Sequence, residues 1–201
     1  MSRPGKRKAS VGGGAPKKRP AKATKGGAAA LVEVGARAPA FTLPGGDGKK
    51  HSLADYKGKC IVLYFYPRDH TPGCTQEACD FRDAHRAIAR GGGIVLGISP
   101  DSPKIHADFT ASLGLPFVLL SDEPSTAGST AGSTAGSTAG CPSVCARYGV
   151  WQKKSMYGKS FMGIVRTTYL IDRAGRVARR WDRVSVRGHA DEVIAALRAL
   201  D

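Results

Sequence analysis

Apolar residues gather in short runs in the middle of the chain, Cys60 to Tyr66, Ile94 to Ile98 and Phe117 to Leu120, each flanked by Gly, Pro, Ser or Asp. Runs of this length without a polar face predict buried strands. Between the first two, Gly73 to Arg90 sets Ala78, Phe81 and Ile88 on one side of a predicted helix that Gly91-Gly92-Gly93 ends. Ser102-Pro103 starts a second helix with proline at its first position, and Gly114 stops it after Leu113. Upstream, Phe41-Thr42-Leu43 and His51-Ser52-Leu53 flank the turn signal Gly45-Gly46-Asp47-Gly48, which predicts an N-terminal β-hairpin. Downstream, Thr167 to Ile171 and Val177 to Trp181 flank Asp172-Arg173-Ala174-Gly175, a second hairpin signal, and Ala190 to Leu200 closes the chain as an amphipathic helix. Alternating strands and helices followed by a hairpin predict an α/β domain with a mixed central sheet flanked by helices.

Two segments carry no such pattern. Residues 1–30 contain Arg3, Lys6, Arg7, Lys8, Lys17, Lys18, Arg19, Lys22 and Lys25, all ahead of the first acidic residue, Glu33. The rest of this stretch is mostly Gly, Ala and Pro, too poor in large apolar side chains to offset the entropy of ordering it, so it reads as a disordered basic tail. Its two basic clusters predict a nuclear import signal or a nonspecific nucleic-acid contact, with an organellar transit peptide or a merely solvated arm as alternatives. Nuclear location is the expectation, chloroplast or cytoplasm the alternative. The second segment, 125–140, repeats Ser-Thr-Ala-Gly and predicts a low-complexity insert in a domain spanning 31–201. Lengthening a surface connection costs little closure entropy.

A chain of 201 residues holds one ordinary domain plus a tail. No apolar run approaches the roughly 18 to 20 residues of a membrane span, and the N-terminus lacks a secretory h-region, so a soluble intracellular protein with no membrane partner is expected. Its five cysteines are an odd count that does not suit a secreted disulfide framework.

The chemistry concentrates in Pro67-Arg68-Asp69-His70-Thr71-Pro72-Gly73-Cys74, a turn that delivers Cys74 to a helix start. Unpaired N–H groups and the positive end of the helix dipole favour a thiolate there, which makes Cys74 a candidate nucleophile. Cys79 follows five residues later, and a sulfenic acid on one sulfur condenses with a thiol on another. The stretch Phe65 to Cys79 resembles the active site of the peroxiredoxins, most of all the bacterioferritin-comigratory-protein or peroxiredoxin Q branch of the alkyl hydroperoxide reductase and thiol-specific antioxidant superfamily. The resemblance continues through Gly97 to Ser102, Gly114 to Phe117, Leu120-Ser121-Asp122, Tyr148 to Trp151 and Tyr157-Gly158 to Asp172, and so covers most of the chain from about Val34 onward.

That resemblance implies a thioredoxin-like fold and a thioredoxin-dependent peroxidase that reduces hydrogen peroxide and organic hydroperoxides without cofactor or metal. Cys74 is then the peroxidatic cysteine and Cys79 the candidate resolving one, forming an intramolecular disulfide. Thr71 hydrogen-bonds the peroxide and the sulfur, Pro67 shields the thiolate, and Arg166 brings a fixed positive charge beside it. Residues five apart on a helix have Cα atoms about 8 to 9 Å apart, whereas a disulfide needs roughly 4.4 to 6.8 Å. The bond therefore requires the first helical turn to unwind. The implied partners are a hydroperoxide, thioredoxin or a similar dithiol, and an import receptor for the tail; a monomer is expected.

Cys141 and Cys145 depart from this pattern. Four apart on a helix they would share a face, but no second ligand pair accompanies them, and packing or an incidental role is expected, with backup resolving thiols as the alternative. Cys60 is expected to be structural, and His70 a solvent-exposed loop residue. A rival reading is a nuclear, nucleic-acid-associated redox sensor using the tail; against it, the basic residues are densest in the featureless tail and the aromatics sit in apolar strands. A dithiol oxidoreductase would need Cys-x-x-Cys spacing.

Overall fold

The computed structural model describes residues 1, 30–124, 141–156 and 158–200. The expected disordered tail and the repeat insert 125–140 lie, for nearly all their length, outside the described residues. Thr42–Pro44 (β1) and Lys50–Ser52 (β2) pair antiparallel across the glycine-rich turn. A one-turn 3-10 helix, Leu53–Tyr56, follows, started by a capping box in which Ser52 and Asp55 bond each other's backbone N–H groups.

Cys60–Phe65 (β3) is buried along its whole length and occupies the middle of a five-stranded sheet. Pro72–Arg90 (α1) leads to Gly93–Ser99 (β4), and Pro103–Leu113 (α2) to Val118–Ser121 (β5). Gly114 ends α2 in the left-handed conformation at φ 61°, where a side chain would be strained. Ser143–Arg147 (α3) precedes Trp151–Met156 (β6) and Lys159–Ile164 (β7), and the chain closes through Thr167–Ile171 (β8), Val177–Asp182 (β9) and His189–Arg198 (α4).

The main sheet runs β5-β4-β3-β8-β9, with β3, β4 and β5 parallel and β8 and β9 antiparallel to their neighbours. Alternate residues of β3 serve two cores. Cys60, Val62 and Tyr64 pack with Phe81 and Ile88 of α1, Phe109 of α2 and Val193 of α4. Ile61, Leu63 and Phe65 pack on the other side with Val144, Tyr148 and Phe41. Tyr64 lies over Gly97 in register, and a Cβ on Gly97 would come within 2.7 Å of its ring; only glycine admits this close approach.

The expected mixed α/β, thioredoxin-like architecture with its N-terminal hairpin is the one observed. Two features differ from the sequence reading. The β6–β7 hairpin was not anticipated, because its residues are largely exposed or half-buried and write no apolar alternation. Cys141 lies ahead of α3 while Cys145 is inside it, so the two do not share a helix face. Asp122 caps α3 by accepting from the Val144 and Cys145 N–H groups at 2.8 and 2.7 Å, which ties together the two ends of the connection that holds the insert. Among the described residues no helix is long and apolar enough to cross a membrane.

Candidate active site

Between the end of β3 and the start of α1 the chain makes the turn 67–71. Thr71 is the N-cap residue of α1, extended at φ −89° and ψ 145°, with Pro72 at the first helical position. The first helical backbone bond runs from the Thr75 N–H to the Thr71 carbonyl at 2.8 Å. The N–H groups of Gly73 and Cys74 precede it and have no acceptor within the helix. Cys74 sits in that first turn, 2 % exposed.

Arg166, in the connection between β7 and β8, reaches this sulfur: its Nη2 donates to Cys74 Sγ at 3.3 Å. Its Nη1 donates to Glu77 Oε2 in a tight ion pair. One guanidinium thus spans two side chains of the same helical face, three residues apart on α1. Burial works against the Arg166 charge, but Glu77 and Cys74 outweigh it and the guanidinium holds its proton more firmly than usual. Burial pushes the Glu77 carboxyl up to about 7, with Arg166 opposing the rise.

The predicted residues are therefore distributed as follows. Cys74 and Arg166 are in contact; Pro67 and Thr71 bracket the turn and are half-buried; Cys79 is half-buried one helical turn and a half further along α1. The Thr71 hydroxyl has a partner within the turn. It donates to the Arg68 carbonyl at 3.0 Å, and a hydroxyl has one proton, so toward the sulfur or a peroxide it offers only its acceptor lone pairs. His70 is exposed as expected, at φ 57°, with its ring edge-on to Phe109 at 4.9 Å. Cys60 and Cys145 are buried, and burial is the main cause that raises the Cys145 thiol well above its ordinary range.

Sequence reasoning left several residues of this region without a role. Glu77 stands three positions after Cys74, so helical periodicity alone would have put it on the same face. Asp69, Tyr66 and His106 form a buried polar cluster: Tyr66 Oη donates to Asp69 Oδ1 at 2.7 Å, and His106 Nδ1 meets Asp69 Oδ2 at 2.6 Å. No local pattern announces a contact between positions 69 and 106.

A family model described as AhpC/TSA matches residues 34–134. The putative peroxiredoxin bcp of Coxiella burnetii is 46 % identical over 83 % of this chain and 99 % of its own length. The chain belongs to the AhpC/TSA family. Peroxiredoxin Bcp of Bacillus subtilis is 41 % identical, over 83 % of this chain and 96 % of its own. A solved structure of Xanthomonas campestris peroxiredoxin Q superposes with a TM-score of 0.68 at 38 % identity, covering 79 % of this chain and 90 % of that one. As a family member the chain is a peroxidase of the peroxiredoxin class, and thiol-dependent reduction of peroxides is the activity this membership carries.

Proposed function

We propose that Cys74 is the peroxidatic cysteine of a two-cysteine cycle that reduces hydrogen peroxide and organic hydroperoxides and is recycled by thioredoxin or a similar dithiol. The observation that carries this reading is the Arg166 guanidinium donating to Cys74 Sγ at 3.3 Å at the start of α1. A charge-assisted donor and a helix N-terminus both favour the thiolate. The thiolate attacks one oxygen of the hydroperoxide; the O–O bond breaks, and the alkoxide leaves with a proton as alcohol or water. Cys74 is left as a sulfenic acid. The free N–H groups of Gly73 and Cys74 and the second guanidinium face suit the negative charge that develops on the peroxide oxygens. Cys79 then attacks Cys74 Sγ, water departs, and the disulfide forms once the first turn of α1 has unwound. An external dithiol reduces that disulfide.

The Xanthomonas campestris bacterioferritin comigratory protein, whose solved structure is 37 % identical with a TM-score of 0.67, is described as having alkyl peroxide reduction activity, which supports organic hydroperoxides as substrates here. The protein is proposed to act as a monomer. For location, the nine basic residues ahead of Glu33 are the ground for proposing nuclear import, while the bacterial origin of the relatives weighs against it.

Peroxide consumption with purified thioredoxin and thioredoxin reductase tests the cycle. Cys74→Ser is expected to abolish turnover, because a serine hydroxyl does not ionise at neutral pH; substantial residual activity would sink the mechanism. Cys79→Ser is expected to stop after one oxidation, leaving a Cys74 sulfenic acid that dimedone traps. Mass spectrometry after one equivalent of peroxide decides the pairing, and a Cys74–Cys141 or Cys74–Cys145 bridge in the parent protein would overturn the assignment of Cys79.

A further inference from the structure

The turn that carries the peroxidatic cysteine is bound to the rest of the protein through Asp69. Its carboxylate is fully buried, as is the His106 imidazole. Oδ1 accepts from Tyr66 Oη at 2.7 Å, and Oδ2 accepts from His106 Nδ1 at 2.6 Å, a contact that assigns the Nδ1–H tautomer to His106. The Asp69 backbone N–H donates to Asp101 Oδ2 at 2.8 Å, and the same oxygen accepts from Ser99 Oγ at 2.7 Å. The turn is thus pinned to Tyr66 just after β3, to Asp101 in the connection between β4 and α2, and to His106 of α2. These Asp69 contacts do not involve α1.

Two observations say that this cluster does more than fill space. His106 Nε2 is buried without a hydrogen-bond partner among the described residues, a penalty that an apolar side chain would avoid. Next in sequence to Asp69, His70 holds φ 57°, a left-handed conformation that a non-glycine residue keeps only when its surroundings enforce it. The residue after that, Thr71, sets the N-cap geometry of α1. Asp69 is therefore the fixed point from which the strained residue and the helix start are built.

We propose that Tyr66, Asp69 and His106 form a latch that holds the peroxidatic turn in its peroxide-reactive form and keeps the first turn of α1 wound. They are positioning residues. With the latch closed, Thr71 keeps its N-cap conformation and the first turn of α1 stays wound, so Cys79 is out of reach. With it open, His70 relaxes, the helix start loses its nucleus, and Cys79 reaches the sulfur. The inference rests on the two-cysteine reading above.

The test compares the full chain with His106→Phe, Tyr66→Phe and His106→Asn, the last retaining a donor in place of Nδ1. In the reduced proteins, hydrogen exchange of the amides in 75–79 is expected to quicken about tenfold in His106→Phe, the scale of a lost buried hydrogen bond, and to return toward the parent rate in His106→Asn. Tyr66→Phe, which removes one hydroxyl, is expected to move exchange in the same direction and keeps the proposal testable if His106→Phe does not fold. Unchanged exchange in 75–79 in a folded variant would overturn the latch, as would exchange that quickens equally throughout the protein. Failure of the peroxidase reading shows separately, as absence of peroxide consumption by the parent, because exchange in the reduced chain is measured without turnover.

Discussion

Arg166 serves two acceptors at once, and its planar fork is what lets it do so. Nη2 faces the sulfur of Cys74 while Nη1 is held by Glu77, so the charge beside that sulfur is positioned by a second residue of the same helix. A lysine carries the charge but has one compact ammonium in place of two divergent donors. Arg166→Lys is expected to fold, because Glu77 keeps a cation, and to lower kcat/KM for hydrogen peroxide by about tenfold or more, the scale of one charge-assisted hydrogen bond. Stopped-flow measurement of the second-order rate with peroxide checks it, and a rate within error of the parent would remove Arg166 from the chemistry. Glu77 also responds to pH. Its folded value, raised by burial to about 7 from an ordinary 4.5, means that the folded state binds the proton first, so its own contribution to stability grows as pH falls from about 7 toward 4.5.

At the scale of elements, His189 links α4 to the sheet: its Nε2 lies 2.8 Å from Thr168 Oγ1 on β8, with Trp181 and Phe81 edge-on to the ring. Burial pushes its imidazole down to about 4 from 6.5, with Glu192 opposing. Between those values the unfolded chain takes up a proton that the folded one refuses, so stability is lost as pH falls from about 6.5 to about 4, by at most about 3 kcal/mol. His189→Asn is expected to be less stable than the parent at neutral pH and to show a flatter fall across that window in urea titrations; parallel slopes would refute the assignment. The elements differ in how plainly the sequence announces them. β3 was legible because both its faces are buried and its run is wholly apolar, and α1 and α2 because Gly91 and Gly114 stop them. The β6–β7 hairpin was not, since Lys153, Ser155, Phe161 and Met162 are exposed and nothing selects an alternating pattern there. The site divides along the same line. Cys74 was legible through its turn and helix start and Arg166 through the resemblance to a known family, whereas the bond from Asp69 to His106 joins two elements far apart in sequence and leaves no periodic trace.

For the whole molecule the question is where the folded domain starts. Gly149, at φ 73°, is glycine because a Cβ there would lie 2.4 Å from the Ala30 carbonyl oxygen, so the chain at residue 30 already packs against the end of α3. Just beyond it, Arg180 Nη1 donates to the Val32 carbonyl at 2.8 Å and the Gly35 N–H to the Val177 carbonyl at 2.7 Å. These contacts tie 30–35 to β9 and make this segment part of the domain. The nine basic residues up to Lys25 precede all of it and carry a large share of a formal net charge of +15. Deleting residues 1–27 therefore removes charge without removing a packing contact of the described residues, and is expected to leave the melting temperature and peroxide turnover unchanged. If the basic clusters act as an import signal, a fluorescent fusion of the full chain collects in the nucleus of a eukaryotic cell and the truncated fusion disperses. A truncated fusion that stayed nuclear would move the signal into the folded domain, and a fall in turnover on truncation would make the basic segment part of the enzyme's working surface.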